Sequence, residues 1–105
     1  MTTQERDEQL RLVSATQRPG RRAGLVAVEV GPETVIYDPE SEAIHLLDPV
    51  GSLVWSALDG DLQLDELSVA LAEHFGVARD EVLSDVLKLV SHLTAVELVV
   101  AAEPA

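Results

Sequence analysis

The 105-residue chain has no cysteine, and its aromatic residues are one Trp, one Tyr and one Phe. The absence of cysteine excludes disulfides, thiolate metal sites and a cysteine nucleophile, so packing alone must stabilise the fold. No apolar run approaches the roughly 20 residues that span a bilayer, and the polar N-terminus lacks the apolar core of a signal peptide. We therefore expect one small cytoplasmic domain with no membrane association.

Basic residues are also scarce, and they are unevenly placed. Five of the seven precede residue 25, and only Arg79 and Lys88 stand against 16 acidic residues from Glu29 onward. Proteins that bind nucleic acid neutralise several phosphates with Lys or Arg. The charge therefore argues against nucleic acid as a partner. Whether the acidity serves solubility or attracts a basic partner surface stays open.

The composition divides the chain into three parts. Residues 1–24 are predicted to be a flexible N-terminal arm, because 17–22 consists of turn-forming and charged residues with little to bury. Residues 25–101 are predicted to form the folded domain. Residues 102–105 are expected to fray.

Short strands are predicted first and helices afterwards. The segments 25–30, 34–37 and 43–47 are rich in branched residues and separated by turn formers, which is typical of an antiparallel meander. Asp48-Pro49 is a cap followed by proline at the first helical position, so a helix should run from there to about Leu58. Apolar spacing predicts further helices over 64–75 and 78–95. The expected fold class is α+β, winged-helix-like: a three-stranded antiparallel sheet followed by three helices.

The third predicted helix carries apolar residues over about half of its circumference. On one side of this arc, suited to packing on the other helices, are Val82, Val86, Leu89 and Leu93. On the other side are Leu83, Leu87 and Val90. The core of the domain uses the whole arc, or a ligand covers part of it; the sequence leaves both open.

No group of residues predicts catalysis, a metal site or a cofactor. His45, His74 and His92 fall on three separate elements, without the helical spacing that is typical of metal ligands. Asp59-Gly60-Asp61 is explained by a helix end and a turn. We therefore expect a protein that is not an enzyme and that holds neither metal nor cofactor.

Several short motifs, in this order and spacing, resemble the PqqD-like family of peptide chaperones. These are also called recognition elements of ribosomally synthesised and post-translationally modified peptides (RiPPs). The motifs extend over about 26–99 and are Tyr37-Asp38-Pro39-Glu40, His45-Leu46-Leu47-Asp48-Pro49-Val50-Gly51, Leu53-Val54-Trp55, Leu58-Asp59-Gly60, Leu64-Asp65-Glu66-Leu67 and Phe75-Gly76-Val77. Members usually have Asn in place of Asp48, a small residue or Thr in place of Val50, and Gly near Glu97.

The resemblance implies a mechanism in which the leader region of a ribosomally synthesised precursor peptide adds as a strand to the third strand, beside the third helix. The peptide would then be presented to a maturation enzyme such as a radical SAM enzyme, a cyclase or a leader protease. The strand residues implied in binding are Ala43, Ile44, His45, Leu46 and Leu47, and the helix residues are Arg79, Val82, Leu83, Val86, Leu87 and Val90.

Two other functions stay open on the sequence. Winged-helix folds often read DNA through a helix, although the acidic third helix region argues against this function. The chain would alternatively be a structural subunit docked on an enzyme.

Overall fold

The computed structural model describes residues 14–100, and its order of elements confirms the expected α+β class. In chain order the elements are β1 (Gly20–Arg21), β2 (Val26–Val30), β3 (Glu33–Asp38), β4 (Ala43–Leu47), α1 (Pro49–Ala57), α2 (Leu64–Phe75), α3 (Arg79–Ala95) and β5 (Val99–Val100). The three predicted strands and three predicted helices all form, with ends within one residue of the expected ones. The expectations for residues 1–13 of the N-terminal arm and for the frayed end at 102–105 lie outside the described residues.

The sheet β2-β3-β4 is antiparallel throughout and has one apolar face toward solvent. Ile36 of β3 stands between Ala27 of β2 and His45 of β4, and this row faces the helices. Directly opposed residues share a face because side chains alternate along a strand. The opposite face, which we call the outer face, consists mainly of exposed Val26, Val28, Val30, Tyr37, Ile44 and Leu46, with half-buried Val35.

Local signals place α1 directly after β4. Asp48 is the N-cap of α1, and its carboxylate accepts a hydrogen bond of 2.6 Å from the Gly51 amide. The buried Ser52 hydroxyl donates to the Leu47 carbonyl at 3.3 Å, which ties the first turn of the helix to the end of the strand. The end of β4 and the start of α1 therefore form one rigid corner.

The core lies between the three helices and the inner face of the sheet. Trp55 is 4% exposed and is a member of this core. The other buried members of the cluster are Ile36, Leu47, Val54, Leu58, Leu64, Leu67, Leu71, Val86, Val90, Leu93, Leu98 and Val99. The core therefore takes residues from every helix and from β3, β4 and β5.

Residues 14–24 were expected to belong to a flexible N-terminal arm, but part of this segment is packed and paired with the rest of the domain. Pro19 is buried, and β1 pairs with β5 through Gly20 opposite Val100 and Arg21 opposite Val99. Arg22 forms a 2.6 Å ion pair with Asp38 of β3. The physical reason is that β5 supplies backbone partners for a segment that has little apolar surface of its own. Packed structure therefore begins upstream of the expected boundary at residue 25.

None of the helices in the described range 14–100 is long and apolar enough to cross a membrane.

Candidate functional site

Strand β4 is an edge of the three-stranded sheet. On one side it pairs with β3 from Ala43 opposite Asp38 to Leu47 opposite Thr34. On its other side no strand within 14–100 pairs with it. An unpaired edge presents a row of backbone N–H and C=O groups that can pair with another chain.

A groove runs beside this open edge, between β4 and the C-terminal half of α3. Its volume is about 450 Å³, and we call it the edge groove. It is lined by Ile44, His45, Leu46, Leu47, Asp48, Gly51, Leu89, His92, Leu93, Val96 and Leu98. Most of this lining is apolar, so the groove offers surface for side chains next to a backbone that can pair.

The corner between β4 and α1 sets one end of the edge groove. A Cβ atom on Gly51 would lie 3.0 Å from Oδ1 of Asp48, 3.6 Å from Cβ of Leu47 and 3.8 Å from Cδ2 of Leu89. Glycine at this position therefore lets the first turn of α1 approach both β4 and α3. The close approach fixes the width of the groove at this end.

A residue in the left-handed conformation follows the C-terminal end of α3. Glu97 has φ 62°, and the chain then turns so that the Leu98 amide donates to the Leu93 carbonyl at 2.9 Å. This geometry buries Leu98 completely beneath the groove. The groove floor thus depends on a backbone conformation that favours glycine.

The charged and titratable side chains that line the edge groove are His45, Asp48 and His92. The Asp48 carboxylate is occupied as the α1 cap. The two imidazoles belong to opposite walls, one to β4 and one to α3. Polar contacts with a ligand in this groove would therefore come mainly from histidine side chains and from the β4 backbone.

An ion pair behind β3 fixes the sheet to the chain segment that precedes it. The Arg22 guanidinium donates to Oδ1 of the buried Asp38 at 2.6 Å and to the Glu97 carbonyl at 2.9 Å. The hydrogen bond between them lowers the pKa of Asp38 and raises the pKa of Arg22. Arg22 therefore joins β3 to the turn after α3.

The strand residues expected to bind a peptide all lie on the open edge, since 43–47 is β4 itself. His45 and Leu47 point toward the helices, whereas Ile44 and Leu46 are 71% and 66% exposed on the outer face. The structure thus brings together the backbone groups that strand addition requires.

The helix residues expected to bind a peptide are distributed differently. Val86 and Val90 are buried in the core, and Leu87 packs against it. Leu83 is half-buried, and Arg79 is the exposed first residue of α3. None of these, nor Val82, lines the edge groove, and their contact with a peptide stays a prediction.

The structure places four other residues of α3 and its end on the edge groove: Leu89, His92, Leu93 and Val96. The sequence interpretation assigned Leu89 and Leu93 to contacts with the other helices. The helical projection gave the width of the apolar arc correctly, but it carried no information on how α3 is rotated relative to β4. The feature of the sequence that could have indicated these groove residues is the continuation of the apolar arc to Val96, at the end of the helix nearest Leu98.

The other candidate residues have structural explanations. The Asp59 carboxylate accepts hydrogen bonds from the amides of Asp61 and Leu62, and these bonds lower the pKa of Asp59. The segment after α1 is therefore a turn held by a side chain. Across the described part of the chain, no three His, Asp or Glu residues are grouped closely enough to hold a metal ion.

Fold and site together define a small winged-helix-like domain with an open strand edge beside an apolar groove. The family model for coenzyme PQQ synthesis protein D (PqqD) matches residues 33–99. The chain belongs to the PqqD family. This match includes β3, β4, all three helices and the first residue of β5.

The comparison with solved structures agrees on the fold. The chain is similar to a structure described as TbiB1 in complex with the TbiA(beta) leader peptide, at a TM-score of 0.71 and 24% identity. The match covers 82% of this chain and 98% of that one. A search among curated proteins finds no match.

Proposed function

We propose that this protein captures the leader region of a ribosomally synthesised precursor peptide by adding it as a strand to the open edge of β4. The observation that carries the proposal is the edge groove, in which this unpaired strand lies beside apolar residues of α3. In such β-augmentation the main chain supplies affinity, and pockets for alternate side chains supply selectivity.

The added strand would pair antiparallel with β4, as β2 pairs with β3 and β3 pairs with β4. Antiparallel pairing is slightly more stable per residue than parallel pairing. Alternate side chains of the peptide would then enter the edge groove toward Leu89 and His92. The remaining side chains would lie beside Ile44 and Leu46 on the outer face, where a second protein can reach them.

Two comparisons support this function. The PqqD family model matches the part of the chain that contains β4 and α3. The similar TbiB1 structure was solved with a leader peptide, and it shares this fold. A protein of this fold has therefore been solved in complex with a leader peptide.

The role we propose is binding and presentation, without catalysis by this chain. The partner that receives the peptide would be a maturation enzyme, for example a radical SAM enzyme, a cyclase or a leader protease. Precursor peptides are made by ribosomes, so the proposal places this step in the cytoplasm.

Charge weighs against the alternative of a DNA-binding regulator. Helix α3 carries Asp80, Glu81 and Asp85 against Arg79 and Lys88, and the chain has a net charge of −12. A gel-shift assay at low salt, where phosphate contacts are strongest, would show no retardation if the leader-binding function is correct.

The direct test is titration of the fluorescently labelled leader of the precursor whose gene neighbours this one. We expect saturable binding in the micromolar range. A scan with single N-methylated peptide bonds should weaken binding at every second position, because only alternate amides of an added strand donate to β4. Absence of saturable binding, or an N-methyl effect without this period of two, would refute strand addition.

A substitution in the groove wall gives a second test. His92→Glu should weaken leader binding at least tenfold, about 1.4 kcal/mol, because it places a carboxylate opposite the added strand. Lys88→Glu is the matched control: it is an exposed residue of the same helix that does not line the edge groove. It changes the charge by more, so a larger effect of His92→Glu must come from position. Equal effects would contradict the assignment of the groove.

A further inference from the structure

Strand β2 is the other edge of the three-stranded sheet. It pairs with β3 on one side, and on its second side no strand within 14–100 pairs with it. All five residues of β2 are exposed. By contrast, the residues of β3 on the inner face are buried: Thr34, Ile36 and Asp38. The helices therefore cover β3 and leave β2 accessible, so that its backbone N–H and C=O groups can pair with another chain.

A cavity of about 350 Å³ lies beneath β2, between the inner face of the sheet and the C-terminal end of α1. We call it the arginine cavity, because Arg21 and Arg22 line it together with Ala27 and Glu29 of β2. Arg22 is paired with Asp38. The exposed Arg21 donates from Nη1 to the carbonyls at the end of α1. A guanidinium carries five N–H donors, so Arg21 keeps donors for a carboxylate that enters the cavity.

The two sides of the β2 edge differ in chemistry. On the outer face the edge is apolar, with Val26, Val28 and Val30, and on the inner face it adjoins the arginine cavity. A strand that pairs here must therefore carry apolar residues on one side and an acidic residue on the other. Strand β2 itself has this pattern, since Glu29 shares the inner face with Ala27. Within 14–100 Glu29 forms no ion pair of its own.

We propose that β2 pairs antiparallel with β2 of a second copy of this chain, so that two three-stranded sheets become one sheet of six strands. In a two-fold symmetric contact the same surface meets itself. The register that pairs all five residues puts Val28 on the two-fold axis and Val26 opposite the partner's Val30. Glu29 then lies opposite the partner's Ala27. The valines of both copies continue the apolar outer face without a break.

Charge complementarity fixes this register. The Cβ atoms of directly opposed residues are about 4.5–5.5 Å apart. Because Ala27 lines the arginine cavity, the Glu29 carboxylate opposite it enters the partner's cavity, where Arg21 donates to it. The symmetry forms this ion pair twice. If the axis moved to Glu29, the two glutamates would oppose each other, and like charges at opposed positions are destabilising.

The other open edge fits β2 less well. Strand β4, Ala43–Leu47, contains no acidic residue for the arginine cavity. Pairing of β2 with β4 would also be head-to-tail and would join copies into an open chain. The symmetric dimer closes after two copies and leaves both β4 edges accessible at the ends of the six-stranded sheet. Each copy keeps its edge groove, so dimerisation and leader binding are independent.

Sedimentation velocity of the full chain tests the dimer. We expect a reversible monomer–dimer equilibrium at physiological salt, with a dissociation constant of tens to hundreds of micromolar, because five paired residues make a small interface. Hydrogen exchange at rising protein concentration should slow at alternate amides of β2, since only alternate amides of a strand point to one side. A chain that stays monomeric up to about 1 mM, or that grows beyond the dimer, overturns the proposal.

Substitution of Glu29 distinguishes pairing from protection, because inward-pointing charges also guard edge strands against association. Glu29→Ala should weaken the dimer about fivefold, and Glu29→Arg at least about tenfold. Removal of a guarding charge would instead strengthen the dimer, which would overturn the proposal. Glu73→Arg is the matched control: it makes the same change of net charge as Glu29→Arg on an exposed residue of α2 that does not line the arginine cavity. Equal losses for both would also overturn the proposal.

A mixture of two variants tests the symmetry of the contact. Glu29→Arg and Arg21→Glu each bring like charges together when the variant pairs with itself. In a mixed dimer both contacts join opposite charges, so mixing the two chains should restore an association that neither shows alone. If both variants fold by circular dichroism and mixing restores nothing, Glu29 does not meet Arg21 and the proposal fails.

Arg21→Glu also removes the bonds to the end of α1, so a second pair of variants covers the case in which it does not fold. Val28→Lys puts two lysines at the two-fold axis and should weaken the dimer at least about tenfold. Ile44→Lys is the control, because Ile44 is an exposed apolar residue of the outer face on β4, away from the paired strands. Its dimer should stay within about twofold of the unchanged protein. Equal losses would show that the outer faces pack on each other, and that result would overturn edge pairing.

Discussion

At the residue scale, Asp38 is a buried carboxylate whose charge is compensated by one neighbour. Its side chain is 5% exposed and lies 2.6 Å from the Arg22 guanidinium, and its Oδ1 also accepts from the Glu40 amide at 3.0 Å. A buried charge that loses its partner is strongly destabilising, because its hydration is not restored. Asp38 is therefore a residue through which low pH destabilises the fold.

The first prediction concerns acid stability. The pKa of Asp38 is lowered in the folded state, so its contribution to stability is fully present above the ordinary value of about 3.9 and is lost as pH falls through the folded pKa. Urea unfolding midpoints should therefore fall steeply below about pH 4. Arg22→Gln should be less stable at pH 7 and should lose less on acidification. A parallel shift of both pH profiles would show that another group controls the transition.

The second prediction concerns the left-handed residue Glu97. A side chain at φ 62° is strained, and the family resemblance implies glycine near this position. Glu97→Gly should raise the free energy of unfolding by about 0.5–1 kcal/mol in urea titrations, since relief of strain exceeds the added freedom of the unfolded chain. Glu97→Ala keeps the strain and removes the charge, so it should give no gain. A gain for alanine would attribute the effect to charge instead.

At the scale of elements, the corner between β4 and α1 joins the edge groove to the helical layer. Asp48 caps α1 and also lines the groove. The third prediction is that Asp48→Ala lowers the free energy of unfolding by about 1 kcal/mol, whereas Asp48→Asn changes it little, because Asn is an equally good cap. Chemical denaturation measures both values. Equal losses would mean that the charge of Asp48, and not its cap geometry, stabilises the corner.

The bounds of strands and helices could be predicted from the sequence, whereas the rotation of α3 about its axis could not. Strand β4 and helix α2 have the predicted bounds, because alternation, turn residues and caps are local signals. The assignment of α3 residues to the groove depends on the rotation of that helix about its axis. Val90 was expected on the available side of the arc and is 1% exposed, whereas Leu89, expected in helix packing, lines the edge groove. Periodicity gives the width of an apolar face but not its neighbours.

At the scale of the whole molecule, the segment 18–22 bonds to the folded domain although it lies upstream of the predicted domain start at residue 25. The Gly60 amide donates to the Pro19 carbonyl, and the Arg21 amide donates to the Leu58 carbonyl. The Arg21 guanidinium also donates to the carbonyls of Trp55 and Ser56 at the end of α1. Composition alone suggested a mobile arm, because these contacts use backbone groups and arginine side chains and almost no apolar surface.

The fourth prediction follows from this closure. A chain that begins at Leu25 should melt at least about 5 °C lower than one that begins at Ser14, because it loses the β1–β5 pair and leaves Asp38 without Arg22. Thermal unfolding followed by circular dichroism measures the difference. Equal melting temperatures would show that the domain is complete from residue 25.

The sequence by itself determined the three strands of the main sheet, the three helices, the fold class and the family signature, because caps, turn residues and apolar periodicity act over a few neighbouring residues. It also determined the acidity that argues against nucleic acid. Only the tertiary structure decided which side of α3 faces β4, that Leu89 lines the edge groove, and that Arg22 reaches Asp38. The reason is that these contacts join residues far apart in sequence, and their geometry depends on how whole elements pack.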